Sequence, residues 1–154
     1  EWLTKPSDER FLFGALRRAV RRAGAPRALV VDADAEARQV RVAQLAAWGV
    51  VCVQAGDGTT AYALARLDPP DLIVLDPSLP SLDGFALVAR LRQGPVRATP
   101  LLVHSSRELA ATERRQLALG PTMHLVKSLA GEAELARALA ALLEAFALDA
   151  VATR

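Results

Sequence analysis

Four polar residues stand where short apolar runs stop. "ALVV" (28–31) runs into Asp32, "LIVL" (72–75) into Asp76, "LLVH" (101–104) into Ser105 and "MHLV" (123–126) into Lys127. Apolar runs of this length, rich in β-branched residues, read as strands covered on both faces. Placed side by side in a parallel sheet, their carboxyl ends converge on one crevice. That crevice then holds two carboxylates, a hydroxyl and an ammonium. An acidic mouth of this kind needs a cation, and hard oxygen ligands favour Mg²⁺. Beside such a cation Asp76 can attack a phosphoryl donor, while Ser105 and Lys127 stabilise the group in transfer. A metal-free phosphate site is disfavoured, because no Gly-rich turn follows the first run and "DADAE" (32–36) repels phosphate.

The elements that must position these four residues follow an alternating pattern from residue 27 onward. The expected strands are 28–31, 50–55, 71–75, 100–105 and 123–126. A first helix carries Val40, Leu45 and Trp48, and a second, entered through Gly56-Asp57-Gly58, carries Tyr62, Leu64 and Leu67. A third spans about 82–92 with Phe85, Val88 and Leu91 on one face. A fourth lies near 107–119 and is ended by Gly120, and the last spans about 132–146 with the stripe Leu135, Leu139, Leu142 and Leu143. Five βα units in succession predict an α/β fold, a doubly wound parallel sheet with helices on both faces.

Composition narrows the class further. With 154 residues, 52% of them hydrophobic and 23% charged, the chain reads as one soluble globular domain. No apolar stretch is long enough to span a bilayer, and the start has no signal-peptide pattern. The net charge of +2 does not by itself argue for nucleic acid. Lone Cys52, inside "VVCV", reads as a buried thiol in a reducing compartment, which points to the cytoplasm. Of the 19 basic residues only Lys5 and Lys127 are lysine. In a chain so biased toward arginine, a retained compact ammonium marks a position where a guanidinium will not serve.

The segments "ALVVDADAEAR", "PDLIVLDPSLPSLDGFALVARLR", "TPLLVHSS" and "HLVKS" resemble, in order and spacing, the successive motifs of the receiver domain of two-component response regulators, the CheY-like family. The resemblance covers about residues 27–147 and implies the flavodoxin-like (βα)5 fold with strand order 2-1-3-4-5. It implies that Asp76 accepts a phosphoryl group from a phosphohistidine on a histidine kinase or phosphotransfer protein. Lys127 and Ser105 would then contact that group. Mg²⁺ would be held by Asp32, Asp76 and the backbone carbonyl of Ser78. Ser105 is implied as the switch hydroxyl, and His124 takes the position of the family's aromatic switch residue. The resemblance also implies a readout face formed by the fourth helix, fifth strand and fifth helix.

The chain departs from the family pattern at several positions. The second acid after the first strand is replaced by Ala33, which weakens Mg²⁺ binding. Asp34 can substitute only through a loop shift, and its competing reading is the N-cap of the first helix. Pro77 removes a backbone N–H beside Asp76, and Ser128 replaces the usual proline, so no cis peptide is required there. His104 and His124 read as packed or surface residues. The alternative function is therefore a degenerate pseudo-receiver, an interaction module independent of phosphorylation. A flavodoxin-type cofactor binder is disfavoured by the acidic first loop.

The opening "EWLTKPSDERFLFGALRRAVRRAG" resembles the end of another receiver, with Lys5-Pro6 matching Lys127-Ser128. Residues 1–26 are accordingly expected to be the tail of a preceding receiver, or else a linker helix, as in a hybrid histidine kinase or multi-receiver regulator. Leu12, Leu16 and Val20 form an apolar stripe that can drive a homodimer; the readout face is the other dimer surface. Residues 148–154 read as a short tail.

Overall fold

A computed structural model describes residues 25–152, with side chains to residue 145, so the expected N-terminal helix and its dimer stripe lie outside the described residues. Five strands form one parallel sheet: β1 (Arg27–Val31), β2 (Val51–Ala55), β3 (Leu72–Leu75), β4 (Leu101–Ser105) and β5 (Thr122–Val126). Their order is β2-β1-β3-β4-β5, as expected. The helices between and after them are α1 (Ala35–Ala47), α2 (Gly58–Leu67), α3 (Gly84–Leu91), α4 (Ala111–Gln116) and α5 (Glu132–Ala152).

Alternation along the strands divides the core in two. Ala28, Val30, Leu72, Val74 and Leu102 face α1 and α5, where Leu45, Leu135, Leu139, Leu142 and Leu143 meet them. Leu29, Val31, Ile73, Leu75, Leu101 and Val103 face the other way, onto Ala61 and Ala65 of α2 and Leu87, Val88 and Leu91 of α3. The period of two in a strand makes this division unavoidable once both faces are covered. The register sets β1 against β3 with Val31 beside Leu75, so Asp32 and Asp76 leave the sheet at the same level.

Three helices begin at an aspartate whose carboxylate accepts backbone N–H groups of the first turn: Asp34 for α1, Asp57 for α2 and Asp83 for α3. Each satisfies donors that no intrahelical carbonyl reaches.

Tertiary packing overrides the expected helix faces at two positions. Val40 is 55% exposed and Leu67 82% exposed. In α1 the buried line passes through Leu45, with Val42 and Trp48 packed beside it. In α2 the small residues Ala61 and Ala65 face the sheet and leave Leu67 on the outer side. Helix α4 is also shorter than expected. Its early portion is a loop, in which the Ser105 hydroxyl donates to the Arg107 carbonyl. At its end the carbonyls of Arg115, Gln116 and Ala118 accept from the Arg92 guanidinium at 2.6–2.9 Å. Gly120 does not end this helix but makes a close approach instead. Its N–H donates to Thr99, and a Cβ there would stand 2.2 Å from the Ala98 carbonyl oxygen. Helix α5 continues past the expected end at Phe146 as far as Ala152. Cys52 is half-buried, and burial pushes its thiol up to about 11.

Candidate functional site

The ammonium of Lys127 lies between two carboxylates, 2.7 Å from Asp32 Oδ2 and 2.8 Å from Asp76 Oδ2. Asp32 is 8% exposed and Asp76 7%. Charges this far from water persist only when paired and hydrogen-bonded, and both conditions are met. Each Oδ1 accepts a backbone N–H two residues on, from Asp34 to Asp32 at 2.9 Å and from Ser78 to Asp76 at 3.0 Å. Pro77 therefore costs Asp76 no partner, because the N–H that serves it belongs to Ser78. Burial alone would depress the Lys127 ammonium, but its hydrogen bonds to Asp32 and Asp76 outweigh that and hold its pKa above the usual lysine value.

A cavity of about 230 Å³ opens beside Asp76, lined by Ser78, Asp83, Phe85, Ser105 and Arg107 among others. Ser105 is buried, and its hydroxyl is turned to the Arg107 carbonyl. Asp34 is the α1 cap, its carboxylate engaged by the N–H groups of Glu36 and Ala37. His124 is half-buried near Arg114, its Nδ1 has no partner among the described residues, and burial lowers its pKa.

The oxygen donors at the crevice are of the kind that Mg²⁺ takes. This ion keeps several waters and binds through one or two carboxylates plus phosphate oxygens. Asp32 and Asp76, with the Ser78 carbonyl, fit that requirement at its lower bound. Among the described residues no three acidic, histidine or cysteine side chains assemble into a fuller cage.

Three neighbours escaped the sequence reading. Arg107 reaches the cavity wall while pairing with Glu113 at 2.6 Å. Its signal was its place two residues after Ser105, in a loop at the carboxyl edge. Arg38 donates to the Asp32 carbonyl at 2.7 Å. Arg41 Nη2 lies 3.1 Å from Nδ1 of buried His104, across 63 residues of sequence. A guanidinium only donates, so His104 Nδ1 accepts and its proton is on Nε2. Burial, then the cations of Arg41 and Lys127, lower the His104 pKa to about 4, with Asp76 opposing.

The family description "Response regulator receiver domain" matches residues 28–140. This chain belongs to that receiver family. The receiver is 37% identical over 114 residues to the gliding motility regulatory protein of Myxococcus xanthus, a match covering 73% of this chain and 15% of that protein. It is 35% identical over 111 residues to the response regulator MprA of Mycobacterium tuberculosis, covering 72% and 48% respectively. The receiver thus spans less than half the length of either curated relative. Among solved structures, the chemotaxis protein CheY4 of Vibrio cholerae superposes with a TM-score of 0.68 at 28% identity, covering 77% of this chain and 99% of that one. The receiver domain of a LuxO-type repressor from Vibrio parahaemolyticus, at 18% identity and a TM-score of 0.73, shares the fold. Among the described residues no helix is long and apolar enough to cross a membrane.

Proposed function

We propose that this receiver accepts a phosphoryl group on Asp76 from the phosphohistidine of a histidine kinase or phosphotransfer protein in the cytoplasm. The observation that carries the reading is the Lys127 bridge between Asp32 and Asp76. An Asp76 carboxylate oxygen attacks phosphorus, the P–N bond breaks, and the imidazole leaves with the electron pair and takes up a proton. The product is an acyl phosphate on Asp76. Lys127 is a compact cation already beside the acceptor and can follow the charge that arrives on the phosphoryl oxygens. Ser105 lines the same cavity, and breaking its bond to the Arg107 carbonyl would free its hydroxyl for the new group. Asp32, Asp76 and the Ser78 carbonyl are the residues that would hold Mg²⁺. When bound, that ion offsets negative charge on the acceptor and the incoming group. Met123 and Leu129, both exposed, support a protein-binding role for the side of the domain built around α4, β5 and α5.

Intact mass after incubation with Mg²⁺ and acetyl phosphate tests the reading. One phosphoryl adduct is expected, absent in Asp76→Asn and stronger at low Mg²⁺ in Ala33→Asp. An adduct that survives in Asp76→Asn would place the acceptor elsewhere.

A further inference from the structure

The α2–α3 seam carries a second feature that phosphotransfer does not use. Arg66 and Arg90 each lie over the ring of Tyr62, their guanidinium carbons 5.5 and 5.7 Å from its centroid. Arg66 also donates to the Tyr62 hydroxyl oxygen at 3.1 Å. Both arginines occupy the last turn of their helices, where a cation is favoured by the carbonyl ends. That accounts for a basic residue on each helix, but not for two guanidiniums converging on one ring. The π face of Tyr62 attracts each cation but supplies no full negative charge to either. Among the described residues the ion pairs involve Arg27, Arg107 and Lys127, and neither Arg66 nor Arg90 meets a carboxylate. Between them opens a cavity of about 300 Å³ whose apolar lining includes Ala65, Leu91 and Val96.

We infer that this seam is a docking site for an acidic, aliphatic-containing peptide segment of a partner protein. A carboxylate would sit between Arg66 and Arg90 and accept the Tyr62 O–H. An aliphatic side chain next to it in the partner would enter the apolar part of the cavity, which a bare inorganic anion leaves unused. The helices run back from the carboxyl edge of the sheet, so their last turns lie at the end opposite Asp76. Docking here and phosphotransfer at Asp76 therefore involve separate surfaces.

The test is fluorescence anisotropy of a labelled peptide of alternating Glu and Leu residues, titrated with the full 154-residue chain at low and high salt. Saturable, salt-sensitive binding is expected, about tenfold weaker or more in Arg66→Gln/Arg90→Gln. Binding should be unchanged in Asp76→Asn and weaker for Tyr62→Phe than for the parent chain. Both arginines are exposed, so circular dichroism should report the same fold in the double variant. Equal binding by the double variant would overturn the proposal. So would displacement of the peptide by inorganic phosphate at equimolar concentration, which would make the seam a small-anion site.

Discussion

At the scale of single residues, the bridging ammonium and the buried imidazole make opposite electrostatic demands. Removing Lys127 leaves two buried carboxylates facing each other without a cation. Lys127→Met is therefore expected to lose about 3 kcal/mol at neutral pH by urea unfolding. Most of that loss should disappear in the background of Asp76→Asn, a coupling that a double-mutant cycle measures directly. His104 behaves differently because it is stable only when neutral. Its folded pKa is about 4, against an ordinary value of 6.5, so between those limits the unfolded chain binds the extra proton. Its contribution is intact above about pH 6.5 and is lost as pH falls toward 4. Thermal melts of the parent chain should accordingly show a steeper decline across that window than His104→Leu, the difference reaching about 2 kcal/mol. Parallel pH profiles would count against this account of the buried imidazole.

At the scale of elements, the β3–α3 connection has little freedom to move. Gly84 donates its N–H to the Pro77 carbonyl at 2.9 Å, and a Cβ on Gly84 would stand 2.5 Å from Pro77 Cα. The helix start is thus pressed against the residue that follows Asp76. Gly84→Ala must push Pro77 aside, and a loss of about 3 kcal/mol is expected, read as a lower urea midpoint at unchanged slope. Labelling by acetyl phosphate should fall as well, since Asp76 moves with Pro77. A variant as stable and as reactive as the parent would show that this contact is slack.

For the molecule as a whole, two apolar clusters share the same central strands. Neither face can open without exposing the backs of β1, β3 and β4. A cut on one face should therefore be felt across the domain. Leu139 is fully buried on the α5 side, and Leu139→Ala is expected to cost about 3 kcal/mol. Near- and far-ultraviolet circular dichroism should still lose their signals together, as one cooperative unit requires. Separate transitions would mean that the two faces unfold independently.

The sequence by itself determined the βα alternation, the residues at the strand ends and, by resemblance, the strand order. These are short-range signals: uninterrupted apolar runs, an Asp before each of the first three helices, and apolar residues at helical spacing between the runs. Only the tertiary structure decided which side of α1 and α2 faces inward, because Val40 and Leu67 fit the apolar pattern as well as the residues that are buried. It alone stopped α4 early, through an arginine that arrives from the end of α3. The sequence placed Lys127 and Asp32 in one crevice, but their direct contact across 95 residues, and that of Arg41 with His104 across 63, came only from the fold. Periodicity is a property of neighbours along the chain, whereas a charge pair depends on which distant segments the sheet register brings to the same level.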